Sequence, residues 1–173
     1  MNHIIAQTIS DFSLDNYRPI LQRDLSLGTA FHPRIGNLVK VITGMRRSGK
    51  SYRLFQEMDD LIQQGVHPNR ICYFNFEDNR LAPITAETGD EVLNTFYELH
   101  PEALTEGAYL FFDEVQEMQD WGTWLRRIVD TRKATIYVSG SSSKMLSTEI
   151  ATEFRGRAIE FELLPYSFHE VVR

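Results

Sequence analysis

The chain has 173 residues, of which 42% are hydrophobic and 24% charged, a balance typical of one globular domain with its own core. Its 18 basic and 24 acidic residues give a net charge of -6, which argues against a generally basic surface for nucleic acid or anionic lipid but leaves room for a local basic patch. No apolar run has the length of a membrane span, and the first residues lack the basic start and apolar core of a signal peptide. The single cysteine, Cys72, allows no disulfide within the chain, so we expect a reducing, cytoplasmic environment.

The first predicted element is a helix over about 16–27, because a proline stands near its start and Gly28 follows its end. We therefore expect a helical extension over residues 1–30. The remaining residues, 31–173, are expected to form the main domain.

Five short apolar runs follow, and amphipathic helical patterns separate most of them. Strands that alternate with helices indicate a parallel sheet, and the nearly continuous apolar character of the middle three runs indicates helices on both faces. The predicted fold class is α/β, a three-layer sandwich around a mainly parallel, five-stranded sheet. A long loop is predicted over 79–90. The predicted strands are 38–43, 71–76, 108–112, 134–139 and 158–164.

The sequence GMRRSGKS, residues 44–51, matches the phosphate-binding pattern G-x-x-x-x-G-K-[ST], with a predicted strand before it and a helix after it. Its glycines permit turns in which backbone N–H groups form a nest for phosphate oxygens at a helix N-terminus. In this interpretation Lys50 reaches the β- and γ-phosphates and Ser51 binds Mg²⁺. The alternative is an ordinary basic surface turn. The residues predicted to bind nucleotide are Gly44, Met45, Arg46, Arg47, Ser48, Gly49, Lys50, Ser51 and Tyr52.

A second motif, YLFFDE, ends an apolar strand with two acidic residues. Ligands of a parallel α/β sheet bind beyond the carboxyl ends of its strands, so these acids are expected near the phosphate loop. Asp113 is predicted to hold Mg²⁺ with Ser51, either directly or through a water molecule. Glu114 is predicted to act as the general base that activates water. The alternative is a polar pair where a strand meets solvent.

The fourth predicted strand ends in a serine-rich segment, IYVSGSSSKM. A small polar residue at this point could bind the γ-phosphate or the attacking water, and Ser139 and Ser141 are the candidates. Each could equally belong to a turn that caps the next helix. Ser142 and Ser143 are assigned to such a turn.

Two further polar clusters are candidates for the site. Asn75 or Glu77, at the end of the second run, could contact Glu114 or the metal, or could form only a polar cluster between strand and loop. Arg155 or Arg157, in EFRGR, could stabilise charge that develops on a transferred phosphate, or could be a surface ion-pair partner.

Together, GMRRSGKS, NFED, LFFDEVQ, VSGSSSKML and FRGRAIEFELLPYSF resemble the AAA-type ATPase domain of a large group of predicted prokaryotic ATP-binding proteins. The resemblance extends from about Tyr17 to the end of the chain. It implies a P-loop NTPase fold with one strand between the two motif strands, and it implies ATP and Mg²⁺ as ligands. It favours Arg157 over Arg155 at the Gly-Arg position. Tyr52 and Arg53 stand where the family has bulky aliphatic residues, a departure that concerns helix packing.

The sequence therefore predicts a Mg-ATP-binding domain that hydrolyses ATP. One alternative is a kinase, which would need an acceptor pocket; the acidic pair DE favours hydrolysis instead. Another is a slow or non-hydrolysing switch whose ATP-bound conformation is recognised by a partner. The protein partner is undefined, and a homo-oligomer is compatible with the sequence.

The sequence SFHE, residues 167–170, is a capping box that begins a helix, yet Arg173 follows closely. A helix this short needs packing to be stable. We therefore expect the N-terminal part of a longer protein, with apolar surface exposed at this point. The alternative is a single helical turn docked on the sheet.

Overall fold

The computed structural model describes residues 2–141 and 156–172. The described strands are β1 (Val39–Gly44), β2 (Ile71–Asn75), β3 (Ala108–Asp113), β4 (Ala134–Ser141) and β5 (Ala158–Glu162). The described helices are α1 (His3–Asp11), α2 (Lys50–Gln63), α3 (Ala86–Leu99), α4 (Glu102–Glu106), α5 (Trp121–Thr131) and α6 (Phe168–Val172). All five predicted strands are therefore confirmed.

The described strands form one sheet in the order β2-β3-β4-β1-β5, and all four neighbouring pairs are parallel. Strand β4 lies between β1 and β3, which carry the two sequence motifs. This is the order that the resemblance implies. Because the strands are parallel, the carboxyl ends of β1, β3 and β4 lie at one edge of the sheet.

Helices cover both faces of the sheet, so the predicted three-layer α/β sandwich is confirmed. Strands β1, β3 and β4 are buried along their whole length. Side chains of β3 alternate between the faces: Phe112 packs with Phe96 of α3 and Trp124 of α5, whereas Phe111 packs with Leu54 of α2. Each face of the sheet thus has its own apolar core.

The helix predicted over 16–27 is wrong. The structure has α1 at His3–Asp11 and a short 3-10 turn at Leu14–Tyr17, and no helix over 18–27. Side chains of the main domain form hydrogen bonds with backbone N–H and C=O groups of this segment, which in a helix would pair with each other. Gln56 accepts a hydrogen bond from the Arg23 N–H at 2.9 Å, and Arg53 donates to the carbonyl oxygen of Leu25 at 2.9 Å. Tertiary hydrogen bonds thus override the local signals.

The predicted loop over 79–90 is shorter than expected, because α3 already begins at Ala86. Its first turn is closed by a capping box in which the Thr85 N–H donates to the Thr88 hydroxyl at 3.2 Å. Gly89, which favours a loop in sequence, lies inside this helix for a packing reason. A Cβ atom at Gly89 would lie 2.6 Å from the indole ring of Trp124.

We expect Gly89→Ala to destabilise the protein, although alanine normally favours a helix interior over glycine by up to about 1 kcal/mol. The added methyl group must displace Trp124, and overpacking of this kind costs roughly 1–3 kcal/mol. Urea denaturation measures the change in the free energy of unfolding. Glu91→Ala, at an exposed position of the same helix, is the control, and its effect is expected to stay within about 0.5 kcal/mol. A more stable Gly89→Ala protein would contradict this packing.

The capping box predicted at SFHE is confirmed. The Ser167 N–H donates to Glu170 Oε1 at 3.0 Å, and the Glu170 N–H donates to Ser167 Oγ at 3.2 Å. Apolar surface is exposed on α6, where Phe168 is 83% exposed. Within the described ranges, no helix has the length and apolar character needed to cross a membrane.

Candidate functional site

The loop between β1 and α2 is built around two glycines that have no room for a side chain. A Cβ atom on Gly44 would lie 2.6 Å from the carbonyl oxygen of Leu163 and 2.8 Å from Ser48 Oγ. Gly49, the N-cap of α2, has a φ of 94°, which L residues with side chains rarely adopt. The loop is therefore tightly packed, and its last residue, Gly49, leads directly into the N-terminus of α2.

Lys50 is buried, and its ammonium group lies across the loop that precedes it. Its Nζ donates to the carbonyl oxygens of Gly44 at 3.1 Å and Met45 at 2.8 Å. An ammonium group has three protons, so these two bonds leave one for an oxygen atom of a ligand. The loop thus carries a fixed positive charge that is already oriented.

The other side chains of the loop differ in exposure. Met45, Arg46 and Arg47 are exposed, and Arg46 forms an ion pair with Glu77 at 2.8 Å. Ser48 is only 1% exposed, and its Oγ has no hydrogen-bond partner among the described residues. A buried polar atom without a partner is rare in a folded protein and is consistent with a ligand at this loop.

Asp113, at the end of β3, is fully buried and accepts hydrogen bonds from three hydroxyl groups. Its Oδ2 accepts from Ser51 Oγ at 2.5 Å and from the phenol of Tyr73 at 2.5 Å. Its Oδ1 accepts from Ser139 Oγ. The structure therefore brings together Ser51 and Asp113, the two residues that the sequence assigns to metal binding.

Tyr73 is a member of the site that the sequence reasoning missed. Strand alternation places it on the same sheet face as its register partner Phe111 and hence as Asp113. The phenol spans the two register positions between the Tyr73–Phe111 pair and Asp113. Burial, followed by the charge of Asp113, raises the pKa of Tyr73 well above its usual value. The phenol therefore stays protonated and donates to the carboxylate.

The donor set around Asp113 fits Mg²⁺, which prefers oxygen ligands and keeps several of its waters. Ser51 supplies a hydroxyl oxygen and Asp113 a carboxylate oxygen, with their oxygen atoms 2.5 Å apart. Lys50, the residue before Ser51, adds a positive charge at the same loop. These residues can thus hold a Mg²⁺-phosphate unit at the sheet edge.

Glu114 follows β3 in a left-handed conformation with a φ of 53°, which is uncommon for a residue with a side chain. Its N–H donates to Ser139 Oγ at 2.9 Å, and its Oε2 accepts from Gln116 Nε2 at 2.6 Å. The turn directs the chain away from the strand immediately after Asp113. Gln116, which the sequence reasoning did not single out, orients the carboxylate.

The two serine candidates on β4 occupy different positions. Ser139 is fully buried and bridges Asp113 and the Glu114 N–H, so its hydroxyl supports both acidic residues. Ser141 is also buried and is the register partner of Gly44 across the β1–β4 pair. Both therefore lie beside the two motifs. Ser142 and Ser143 lie outside the described residues.

At the end of β2, Asn75 and Glu77 bond to each other and to the phosphate loop. Asn75 pairs in register with Asp113, but its Oδ1 accepts from the Glu77 N–H at 2.8 Å. Glu77 forms its ion pair with Arg46. This pattern corresponds to the polar cluster between strand and loop, with an added link to the phosphate loop.

The structure does not bring Arg157 to the loop. Its carbonyl oxygen accepts from the Val39 N–H at 2.8 Å, at the amino end of β1, and its side chain forms an ion pair with Asp130. The phosphate loop leaves the opposite end of this six-residue strand, roughly 17 Å away at about 3.3 Å per residue. Within one chain, Arg157 therefore lies at the edge of the sheet opposite the phosphate loop. Arg155 lies outside the described residues.

Comparisons with known proteins bear on the family and the fold of the chain. A family described as an AAA domain matches residues 36–172. An uncharacterized protein of Methanocaldococcus jannaschii is 36% identical over 154 residues, which are 89% of this chain and 31% of the relative. An uncharacterized protein of Haemophilus influenzae is 34% identical over 134 residues, 78% of this chain and 33% of the relative. The chain thus spans about a third of the length of these relatives.

A solved structure shows the same fold. A DNA polymerase III gamma subunit-related protein of Thermotoga maritima superimposes with a TM-score of 0.50 over 92% of this chain and 48% of its own. The sequence identity is 11%, so the likeness concerns the fold alone.

Proposed function

The chain belongs to the AAA domain family, and from this premise we propose that it binds ATP with Mg²⁺ and hydrolyses it. The observation that carries the proposal is the convergence of three groups from two elements. Lys50 and Ser51 begin α2, Asp113 ends β3, and the hydroxyl of Ser51 contacts the carboxylate of Asp113 at 2.5 Å. The residues proposed to bind phosphate and metal thus lie together at one edge of the sheet, which supports the proposal.

In the proposed reaction, the loop from Gly44 to Gly49 binds the phosphates with its N–H groups. The third N–H of the Lys50 ammonium group donates a hydrogen bond to an oxygen of the β- or γ-phosphate. Ser51 and Asp113 would hold Mg²⁺, which would neutralise charge on the phosphates. The oxygen of water attacks the γ-phosphorus, the bond to the bridging oxygen breaks, and ADP leaves. Glu114 accepts the proton of that water. Ser139 fixes the positions of both acids.

One observation supports the alternative of a slow or non-hydrolysing switch. The Glu114 Oε2 atom already accepts a hydrogen bond from Gln116 Nε2 at 2.6 Å. This hydrogen bond must break, or the oxygen must accept a second one, before Oε2 can take a proton from water. ATP binding and phosphate release should therefore be measured on the same sample. Tight binding with turnover far below about one per minute supports the switch, whereas faster release of phosphate supports an ATPase.

Two further assignments belong to the proposal. A second copy of the chain could supply Arg157 to the nucleotide, since this arginine does not reach the loop of its own chain. The relatives are about three times as long as the matched region, so a further domain could cover the exposed apolar side of α6. We place the ATP-consuming activity in the cytoplasm, where a single cysteine stays reduced.

Lys50→Ala is the direct test of nucleotide binding. The variant lacks the charge that meets the phosphates, so we expect the affinity for ATP to fall by at least about tenfold, or about 1.4 kcal/mol. Isothermal titration calorimetry with ATP and Mg²⁺ measures the affinity. Lys133→Ala removes the same charge at an exposed position distant in sequence and should bind ATP as the wild type does. Unchanged affinity in a folded Lys50→Ala protein would overturn the proposed function.

A further inference from the structure

Arg23 is a buried arginine that neither the sequence motifs nor the proposed reaction explains. It is only 5% exposed and lies in the irregular segment before β1. Its guanidinium group joins the phosphate loop to the chain that follows β5. Burying such a charge is costly unless it is paired and hydrogen-bonded, so its partners indicate what it holds in place.

The guanidinium group makes a separate hydrogen bond with each nitrogen. Its Nη1 donates to the carbonyl oxygen of Ser48 at 2.7 Å, its Nη2 to that of Leu164 at 2.5 Å, and its Nε to Glu170 Oε2 at 2.7 Å. The guanidinium carbon Cζ also lies over the ring of Tyr166, 4.0 Å from the ring centroid. We call these four contacts the Arg23 clamp.

Glu170 ties the clamp to helix α6. Its Oε2 accepts from Arg23 and from the Asp24 N–H at 3.0 Å, while its Oε1 closes the capping box at the start of the helix. The hydrogen bond from Arg23 lowers the pKa of Glu170 to about 2, so the ion pair is charged at neutral pH. The first turn of α6 and the guanidinium group are therefore held by one carboxylate.

The clamp also closes tightly around the second glycine of the phosphate loop. A Cβ atom on Gly49 would lie 3.0 Å from Arg23 Nη1 and 3.0 Å from the hydroxyl of Tyr166. In a planar trans peptide the carbonyl and the N–H point in opposite directions. Because Arg23 holds the Ser48 carbonyl, the Gly49 N–H of the same peptide points away from the clamp.

We propose that Arg23 is a positioning residue for the phosphate loop and that it couples nucleotide binding to α6 through Glu170. The inference rests on the proposed function, because it assigns the oriented Gly49 N–H to a phosphate oxygen. A nucleotide that fixes the Ser48–Gly49 peptide favours the closed clamp, and the closed clamp favours α6. If nucleotide binding changes the equilibrium for docking of α6 by a given factor, then docking of α6 changes nucleotide affinity by the same factor, because thermodynamic linkage is reciprocal.

Arg23→Lys tests the positioning role, because lysine keeps the charge but lacks the planar fork that reaches all three partners. In the full-length protein we expect ATP affinity to fall by about tenfold, the scale of one lost charge-assisted hydrogen bond. Arg18→Lys is the matched control, because Arg18 lies on the same segment and pairs with Asp15 and Asp59 but contacts no loop residue in the bonds described. Equal ATP affinities of the two variants would overturn the proposal.

Glu170→Gln tests whether the carboxylate acts through Arg23, and it also serves if Arg23→Lys does not fold. Alone, it is expected to weaken ATP binding several-fold; combined with Arg23→Lys, it should add little further. Two independent contributions would instead multiply, and that result would overturn the coupling. The Lys50→Ala variant distinguishes failure of the clamp proposal from failure of the proposed function. If Lys50→Ala binds ATP as the wild type does, both proposals fail; if it binds ATP weakly, only the clamp proposal is overturned by the results above.

Hydrogen exchange of the α6 amides separates coupling from simple stabilisation. Saturating ATP should slow exchange over 167–172 in the wild type. In Arg23→Lys, at ATP concentrations raised to saturation, this additional protection should be absent. A merely structural role predicts the same ATP-dependent change in both proteins, and that outcome would overturn the coupling.

Discussion

Replacing Glu114 with glutamine is expected to lower the rate of ATP hydrolysis by about a hundredfold or more while Mg-ATP binding is retained. Glutamine keeps the shape of the side chain but cannot accept the proton of the attacking water. The backbone arrangement should survive, because the Glu114 N–H still donates to Ser139 Oγ. Phosphate release measured under saturating ATP reports hydrolysis, and calorimetry reports binding.

Glu98→Gln is the control for Glu114→Gln, because it makes the same chemical change at an exposed position of α3. Its rate of hydrolysis should equal that of the wild type. Wild-type turnover in Glu114→Gln would assign proton removal to another group. Loss of binding together with turnover would show that Glu114 positions the nucleotide and would contradict its role as a general base.

The fold could be predicted from the sequence because its signals are local and mutually consistent. Three of the strands are apolar along their length, as expected for strands covered on both faces, and GMRRSGKS lies where a strand gives way to a helix. The same logic places Asp113 correctly, since the last residue of a parallel strand lies at the ligand-binding edge. These inferences need only chain order and side-chain periodicity.

The parts that sequence reasoning missed depend on contacts between distant segments. Arg23 meets Glu170 across 147 positions of the chain, and Tyr73 meets Asp113 across 40. Gly89 favours a loop by composition but is required by the ring of Trp124. The wrong prediction of a helix over 16–27 has the same cause, because the side chain of Gln56 forms hydrogen bonds with both the N–H and the carbonyl oxygen of Arg23.

Arg157 shows the limit of a motif without geometry. A Gly-Arg pair before the last strand resembles a phosphate contact, yet a residue before a parallel strand lies at the edge opposite the loop. Position in the sheet thus separates Arg157 from the phosphate loop of its own chain. The ion pair with Asp130 places Arg157 against α5 instead.

Asp113→Asn is expected to abolish the effect of Mg²⁺ on ATP binding and to lower hydrolysis by roughly a thousandfold, since a catalytic metal contributes several kcal/mol. The variant should fold, because hydroxyl groups can rotate: Ser51, Tyr73 and Ser139 can each donate to an amide oxygen or accept from its nitrogen. What is lost is the anionic oxygen beside Ser51. ATP titrations in Mg²⁺ and in chelator measure the metal dependence, and thermal unfolding without ligand checks the fold.

Asp11→Asn is the matched control for Asp113→Asn, because it removes a carboxylate charge at an exposed position that ends α1. Both its Mg²⁺ dependence and its turnover should match the wild type. The comparison with Glu114→Gln separates the two acids: a lost base leaves Mg²⁺-dependent binding intact, whereas a lost metal ligand removes it. A folded Asp113→Asn protein whose ATP affinity still rises with Mg²⁺ would place the metal on other oxygen atoms and contradict the site built on Ser51 and Asp113.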